Sequence, residues 1–253
     1  MDVLSSTKNP FGGVLPTPEG LPEQPETFKA QLLHSLESWK EEGCKLVWLE
    51  VPIQKAGLIP VAVEAGFTFH HAKESYVLLT RRLVDDAFIP PYATHYVGIG
   101  GVVLNESHEL LVVSERYRQR GRGPAYKLPG GALHPGEHLV DAAIREVYEE
   151  TGVKTRFEAM VCFRHWHGYR FGKSDLYFTC RLSPLSEQIS AQAEEIEECL
   201  WMPVADYMAS ESVSEFNKQI VRAAMSSPGI APTTLDGYTD DGTREVFMPS
   251  GPA

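Results

Sequence analysis

Apolar positions change their period along this chain, and each period predicts an element. From Thr27 onward, Phe28, Leu32, Leu36 and Trp39 recur at the spacing of one helical face, and Gly43 closes the run. LVWLEV (46–51) is an unbroken apolar stretch of strand length. LIPVAVEAG (58–66) reads as a short helix stopped by Gly66, and FTFHH and YVLLTRR (76–82) as further strands. This α-β-α-β-β unit ends near Leu83, and Pro90-Pro91 marks a linker.

A second pattern opens with YVGIGGVVL (96–104), the turn Asn105-Glu106-Ser107-His108, and LLVVSER (110–116), which together predict a hairpin. A loop rich in arginine, glycine and proline follows, then a helix over about 138–151 with Gly152 where a left-handed C-cap is wanted. FEAMVCFRHW (157–166) and SDLYFTCRL (174–182) read as strands. An acidic segment (193–198) precedes LWMPV, and Phe216, Ile220, Val221 and Ala224 predict a last amphipathic helix. The expected organisation is a mobile segment over 1–25, a small α/β domain over 26–85, a linker over 86–94, a larger α/β domain over 95–228 and a loose tail over 229–253.

Composition narrows this frame. At 253 residues and 43% hydrophobic, the chain can bury a substantial core. A net charge of −11 argues against a nucleic-acid backbone as partner, while leaving room for a small phosphorylated ligand met locally. Cys44, Cys162, Cys180 and Cys199 are far apart with no CxxC pair, which predicts free thiols in a reducing compartment. The first residues lack an apolar signal core, and no apolar run has membrane-spanning length. A soluble cytoplasmic protein is the expectation, with room for a homodimer.

The chemistry concentrates in residues 131–153, GALHPGEHLVDAAIREVYEETGV. On a helix, Glu146, Glu149 and Glu150 stand at i, i+3 and i+4, so three carboxylates leave one face. Like charges this close repel, and an oxygen-rich cluster suits a hard cation such as magnesium or manganese. Solvated helix faces also carry glutamates at this spacing.

Gly131, Glu137, Arg145, Glu146, Glu149, Glu150 and Gly152 together resemble the Nudix box, with no departure at any fixed position. The resemblance implies an α/β/α sandwich around a mixed sheet. It also implies hydrolysis of a nucleoside diphosphate linked to another moiety, with Mg2+ or Mn2+ as cofactor. It makes Glu149 and Glu150 metal ligands and Glu146 either a third ligand or the base that orients water. The Gly131 carbonyl would also coordinate metal, with glycine letting the backbone come close. Arg145 and Glu137 would pair and brace the loop, with Gly152 capping the helix. Residues 47–83 further resemble the pre-Nudix domain, an acetyltransferase-like α/β module found before Nudix domains in plant and animal hydrolases.

The remaining candidates have competing readings. His70 and His71 are adjacent on a strand and so point to opposite faces, which favours a structural role. His165 and His167 with Trp166 and Tyr169 fit either core packing or a base or ribose pocket. Arg116, Arg118, Arg120 and Arg122 form either a solvated loop or a phosphate grip. Glu195 or Glu197 would add a further metal carboxylate or belong to a surface run.

By analogy with related plant proteins the substrate expectation is ADP-ribose or NADH. The NADH-pyrophosphatase signature is absent after Val153, and the coenzyme A signature is matched only at Leu110-Leu111. Oxidised nucleoside triphosphates, diphosphoinositol phosphates and a low-turnover regulatory module are the alternatives. The intact acids of the box favour an enzyme.

Overall fold

In a computed structural model that describes residues 2–116, 125–192 and 194–249, the chain forms two compact units, Met1–Thr94 and His95–Ala253. The first runs β1 (Ser6–Lys8), β2 (Gly13–Pro16), α1 (Pro25–Glu41), β3 (Leu46–Pro52), α2 (Ile59–Glu64), β4 (Thr68–Ala72) and β5 (Tyr76–Arg82). Its sheet has the order β1-β2-β3-β5-β4, antiparallel except where β2 lies beside β3. The helical face anticipated from spacing is the one that α1 buries. Phe28, Leu32, Leu36 and Trp39 share a core with Val47, Leu49, Val51 and Leu79.

Two expectations for this unit are corrected. Residues 1–25 were expected to be mobile, yet β1 and β2 extend the sheet and Leu4, Val14 and Leu21 enter its core. The Leu4 N–H donates to the buried Ser35 Oγ at 2.8 Å. Proline and glycine here shape turns: the Asn9 Oδ1 accepts from the N–H groups of Phe11 and Gly13 at 3.0 and 2.8 Å. The second correction concerns His70 and His71. A bulge between Phe69 and His71 breaks the alternation of β4, and the two Nδ1 atoms meet at 2.8 Å. His71 stacks on Tyr92 and His70 holds the Pro90 carbonyl at 2.8 Å.

The second unit runs β6 (His95–Val103), β7 (Glu109–Glu115), β8 (Gly130–Ala132), α3 (Leu139–Thr151), β9 (Thr155–Trp166), β10 (Ser174–Pro184), β11 (Ile196–Pro203), α4 (Val204–Ala209), α5 (Glu215–Ser226), β12 (Ala231–Pro232) and β13 (Phe247–Met248). A mixed four-stranded sheet has the order β8-β6-β10-β9, with β6 and β10 parallel. Consecutive residues of β6 serve opposite faces. Ile99 and Val103 pack with Ala142, Ala143 and Val147 of α3, while Val102 packs with Ile220, Val221 and Ala224 of α5. Helices therefore cover both sides of the sheet, the expected α/β/α sandwich.

The hairpin expected from β6 and β7 does not form as such. The strands touch through one bridge, Leu104 to Leu110, and β7 pairs instead with β11. Both strands are buried on both sides over most of their length, so each can join a separate sheet. Among the described residues, no helix is long and apolar enough to cross a membrane.

The C-terminal tail is also corrected. Ile230 exchanges backbone hydrogen bonds with Met160, both at 2.9 Å, and β12 pairs with β13. From this tail Glu245 reaches the start of α3, where its carboxylate accepts from the N–H groups of Leu139 at 2.6 Å and Val140 at 3.3 Å. His138, at the N-cap position, makes no side-chain cap and instead meets the Gly242 carbonyl at 2.8 Å. A distant carboxylate thus does the work of an N-cap, against the positive end of the helix dipole. Glu245→Ala should lower stability by about 1–2 kcal/mol. A urea unfolding series checks this, and an unchanged midpoint would contradict the cap.

Candidate active site

The apolar face of α3 fixes how its polar face points. With Ala142, Ala143 and Val147 in the core, Glu146 and Glu150 meet the Gly130–Gly131 turn, and Glu149 lies half exposed against Arg145. Gly152 ends the helix with φ 72°, the left-handed C-cap its position predicts.

Arg145 organises the acids. Its guanidinium holds Glu137 through two hydrogen bonds, Nε–Oε1 at 2.6 Å and Nη2–Oε2 at 2.8 Å. Nη1 also donates to Glu146 at 2.9 Å and Glu149 at 3.0 Å, and Nη2 to the Ala132 carbonyl at 3.2 Å. One cation therefore ties the loop of residues 132–137 to two carboxylates of the helix. The Arg145 bond holds the Glu137 carboxyl down at about 2, well below the ordinary carboxylate range. The same partners raise the Arg145 guanidinium.

Glu150 has different company. It is 7% exposed, its Oε2 accepts from the Gly130 N–H at 2.9 Å, and Lys127 Nζ stands 3.7 Å from Oε1. Burial raises the Glu150 carboxyl more than Lys127 and the Gly130 amide lower it. Lys127 also pairs with Glu115 at 2.5 Å. Its burial opposes the charge, yet the two carboxylates outweigh burial and hold the ammonium above its ordinary value. Glu146 is likewise raised, by burial first and against the pull of Arg145. A Cβ at Gly131 would meet the Glu146 carboxylate at under 3.0 Å and displace it, so glycine here lets that acid approach the backbone.

Among the described residues, no three His, Cys, Asp or Glu side chains close into a metal cage. Arg145 and Lys127 divide the carboxylates between them. The donor set nevertheless fits a hard divalent cation. Two partly desolvated carboxylates, Glu146 and Glu150, lie beside the Gly130–Gly131 backbone, and the half-exposed Glu149 shares Arg145 with Glu146.

Other expected residues fall in different places. Arg116 is exposed, and its N–H donates to the Glu195 carbonyl at 2.8 Å. Glu195 thus engages through its backbone, with its side chain exposed, and does not join the glutamate face. Arg118, Arg120 and Arg122 lie outside the described residues. His165 and Trp166, expected in one pocket, point to opposite faces of β9. His165 meets His95 at 2.9 Å between Nε2 atoms and packs beside His167, while Trp166 lies near Arg164 and Tyr169.

Lys127 and Tyr177 enter the site without any motif signal. Lys127 lines a cavity of about 240 Å3 with Glu115, Tyr126, Ser214 and Asn217. The Tyr177 ring lies over β6 where Cβ atoms at Gly98 and Gly100 would collide with it. Burial raises its hydroxyl, and the nearby Glu150 and Glu146 raise it further. The signal in the sequence was the glycine spacing in YVGIGG, which a hairpin alone does not need.

Comparison with known proteins gives the family. The Nudix hydrolase domain model matches residues 4–83, and the NUDIX domain model matches residues 94–224. Nudix hydrolase 2 of Arabidopsis thaliana is 42% identical over 216 residues, covering 85% of this chain and 77% of that protein. Nudix hydrolase 8 of the same plant is 41% identical over 81% of this chain. The chain spans only 56% of the length of that relative. A solved NUDIX hydrolase from Nitrosomonas europaea overlays with a TM-score of 0.45 at 24% identity, over 53% of this chain and 90% of that one. The chain belongs to the Nudix hydrolase family.

The depressed Glu137 carboxyl predicts an acid dependence. Its pairing stabilises the fold fully above the ordinary carboxylate value of 4.5 and is lost as pH falls through about 2. The stability gap between the native chain and Glu137→Gln should therefore be constant near neutrality and shrink between those two values. A gap that widens on acidification would contradict the pairing.

Proposed function

We propose that this chain hydrolyses the diphosphate bridge of a nucleoside diphosphate linked to a second moiety, using Mg2+ or Mn2+, with ADP-ribose and NADH as the favoured substrates. One observation carries the reading: the partly buried Glu146 and the buried Glu150 meet the Gly130–Gly131 turn, and Arg145 joins Glu146 to the half-exposed Glu149. A diphosphate presents concentrated negative charge, which three acids alone would repel. Bound divalent ions would offset that charge and lower the pKa of an attacking water.

Glu149 and Glu150, with the Gly131 carbonyl, are the residues that would hold the metal. Glu146 adds a ligand or takes the proton of the water, a role suited to a carboxyl raised by burial. Arg145 keeps Glu146 and Glu149 aimed, and Glu137 keeps Arg145 in place. Lys127, paired with Glu115 and Glu150 at one wall of the cavity, would hold Glu150 in place beside the metal. Arg116 stands at the end of β7, where it would grip a phosphate. Four free thiols suit the reducing cytoplasm.

The test is a set of nucleoside diphosphate derivatives incubated with Mg2+ or Mn2+, with products separated by chromatography. ADP-ribose or NADH should yield AMP. Chelation should stop the reaction, and Glu149→Gln should lower kcat by on the order of 100-fold or more while leaving the fold intact. Native-like turnover in that variant would remove Glu149 from the site.

A further inference from the structure

Across the sheet β8-β6-β10-β9 a single row of neighbours runs Ala132, Gly98, Tyr177, Arg164. The row starts beside the turn that meets Glu146 and Glu150 and ends three strands away, about 14 Å at ~4.8 Å per strand. That distance is comparable with the reach from the phosphates to the base of an extended nucleotide. Tyr177 fills the middle, its ring seated over glycines 98 and 100.

Arg164 is held in an unusual setting. Its Nη2 pairs at 2.5 Å with Asp175, which is 5% exposed. Its guanidinium carbon lies 5.4 Å from the Trp166 ring, 5.5 Å from the Tyr177 ring and 5.8 Å from the Phe216 ring. Nε is buried and has no hydrogen-bond partner among the described residues. Trp166 and Phe216 are each about half exposed, at 47% and 46%, so large apolar rings border the guanidinium at the surface.

We propose that Arg164, oriented by Asp175 and bordered by Trp166, Tyr177 and Phe216, forms the subsite that receives the nucleobase of the substrate. The proposal rests on the hydrolase reading above and names the group that selects the substrate's nucleoside half. Two physical arguments favour a base over a phosphate here. Asp175 neutralises the guanidinium, so the pair offers little net charge to an anion. Planar guanidinium and aromatic faces suit a flat heteroaromatic ring, which also carries ring-nitrogen or carbonyl acceptors for an arginine N–H. Arg164 is then a binding residue that sets specificity and takes no part in breaking the bridge.

The experiment is calorimetric titration of the full chain, without metal, using AMP and ribose 5-phosphate. These probes share the phosphate and sugar and differ by the base. The native protein should bind AMP about tenfold tighter or more. In Arg164→Met/Asp175→Asn, which leaves no unpaired buried charge, AMP should fall to within about twofold of ribose 5-phosphate while the latter is unchanged. Phe216→Ala, on the exposed first turn of α5, should cut AMP affinity about fivefold and serves if the double variant does not fold. Equal weakening of both probes, or an AMP advantage that survives the substitutions, would overturn the subsite. Absence of turnover on every nucleoside diphosphate derivative, with the AMP advantage intact and lost on substitution, would instead overturn the hydrolase reading alone.

Discussion

The second unit is organised around one electrostatic problem: three carboxylates on a single face of α3, one of them buried and a second largely so. Left alone they would repel one another and lose hydration. Arg145 and Lys127 divide the load. Arg145 takes Glu146 and Glu149 while locked to Glu137, and Lys127 takes Glu150. Burial still raises Glu146 and Glu150, so compensation by these cations is incomplete. An arrangement that leaves charge only partly offset, beside a glycine backbone, is one that a divalent cation would complete.

The rest of the unit serves to keep this face in register. The core residues of α3 set its rotation, Gly131 allows the acids to touch the turn, and Gly152 releases the chain into β9. The tail returns to place Glu245 on the first amides of the helix. The start of α3 is thus capped from outside the helix by Glu245, while its loop is held by Arg145 from within it, as a site that depends on small displacements of charge requires.

Much of this was legible in the sequence because its causes are local. Helical spacing identified α1 and α5, the box and its Gly152 cap identified α3, glycines 43 and 66 marked the ends of α1 and α2, and the box paired Arg145 with Glu137. What was not legible depends on contacts between distant residues. Nothing local distinguishes Glu245 as a cap, and a Pro- and Gly-rich opening segment reads as loose until β3 is there to pair with it. The bulge in β4 reverses the alternation that separated His70 from His71. The isolated lysine at 127 acquires meaning only when Glu150 and Glu115 converge on it. His165 and Trp166 were grouped by proximity in sequence, whereas strand geometry sends them to opposite faces.

The central claim is that the glutamate face of α3 is a divalent-cation site held ready by Arg145 and Lys127. Its most direct test is a titration of the full chain with Mn2+, read by the electron paramagnetic resonance of the free ion. The account predicts saturable binding that Glu150→Gln weakens by on the order of tenfold or more, with the fold retained. Equal Mn2+ affinity in the native chain and in Glu150→Gln would contradict it.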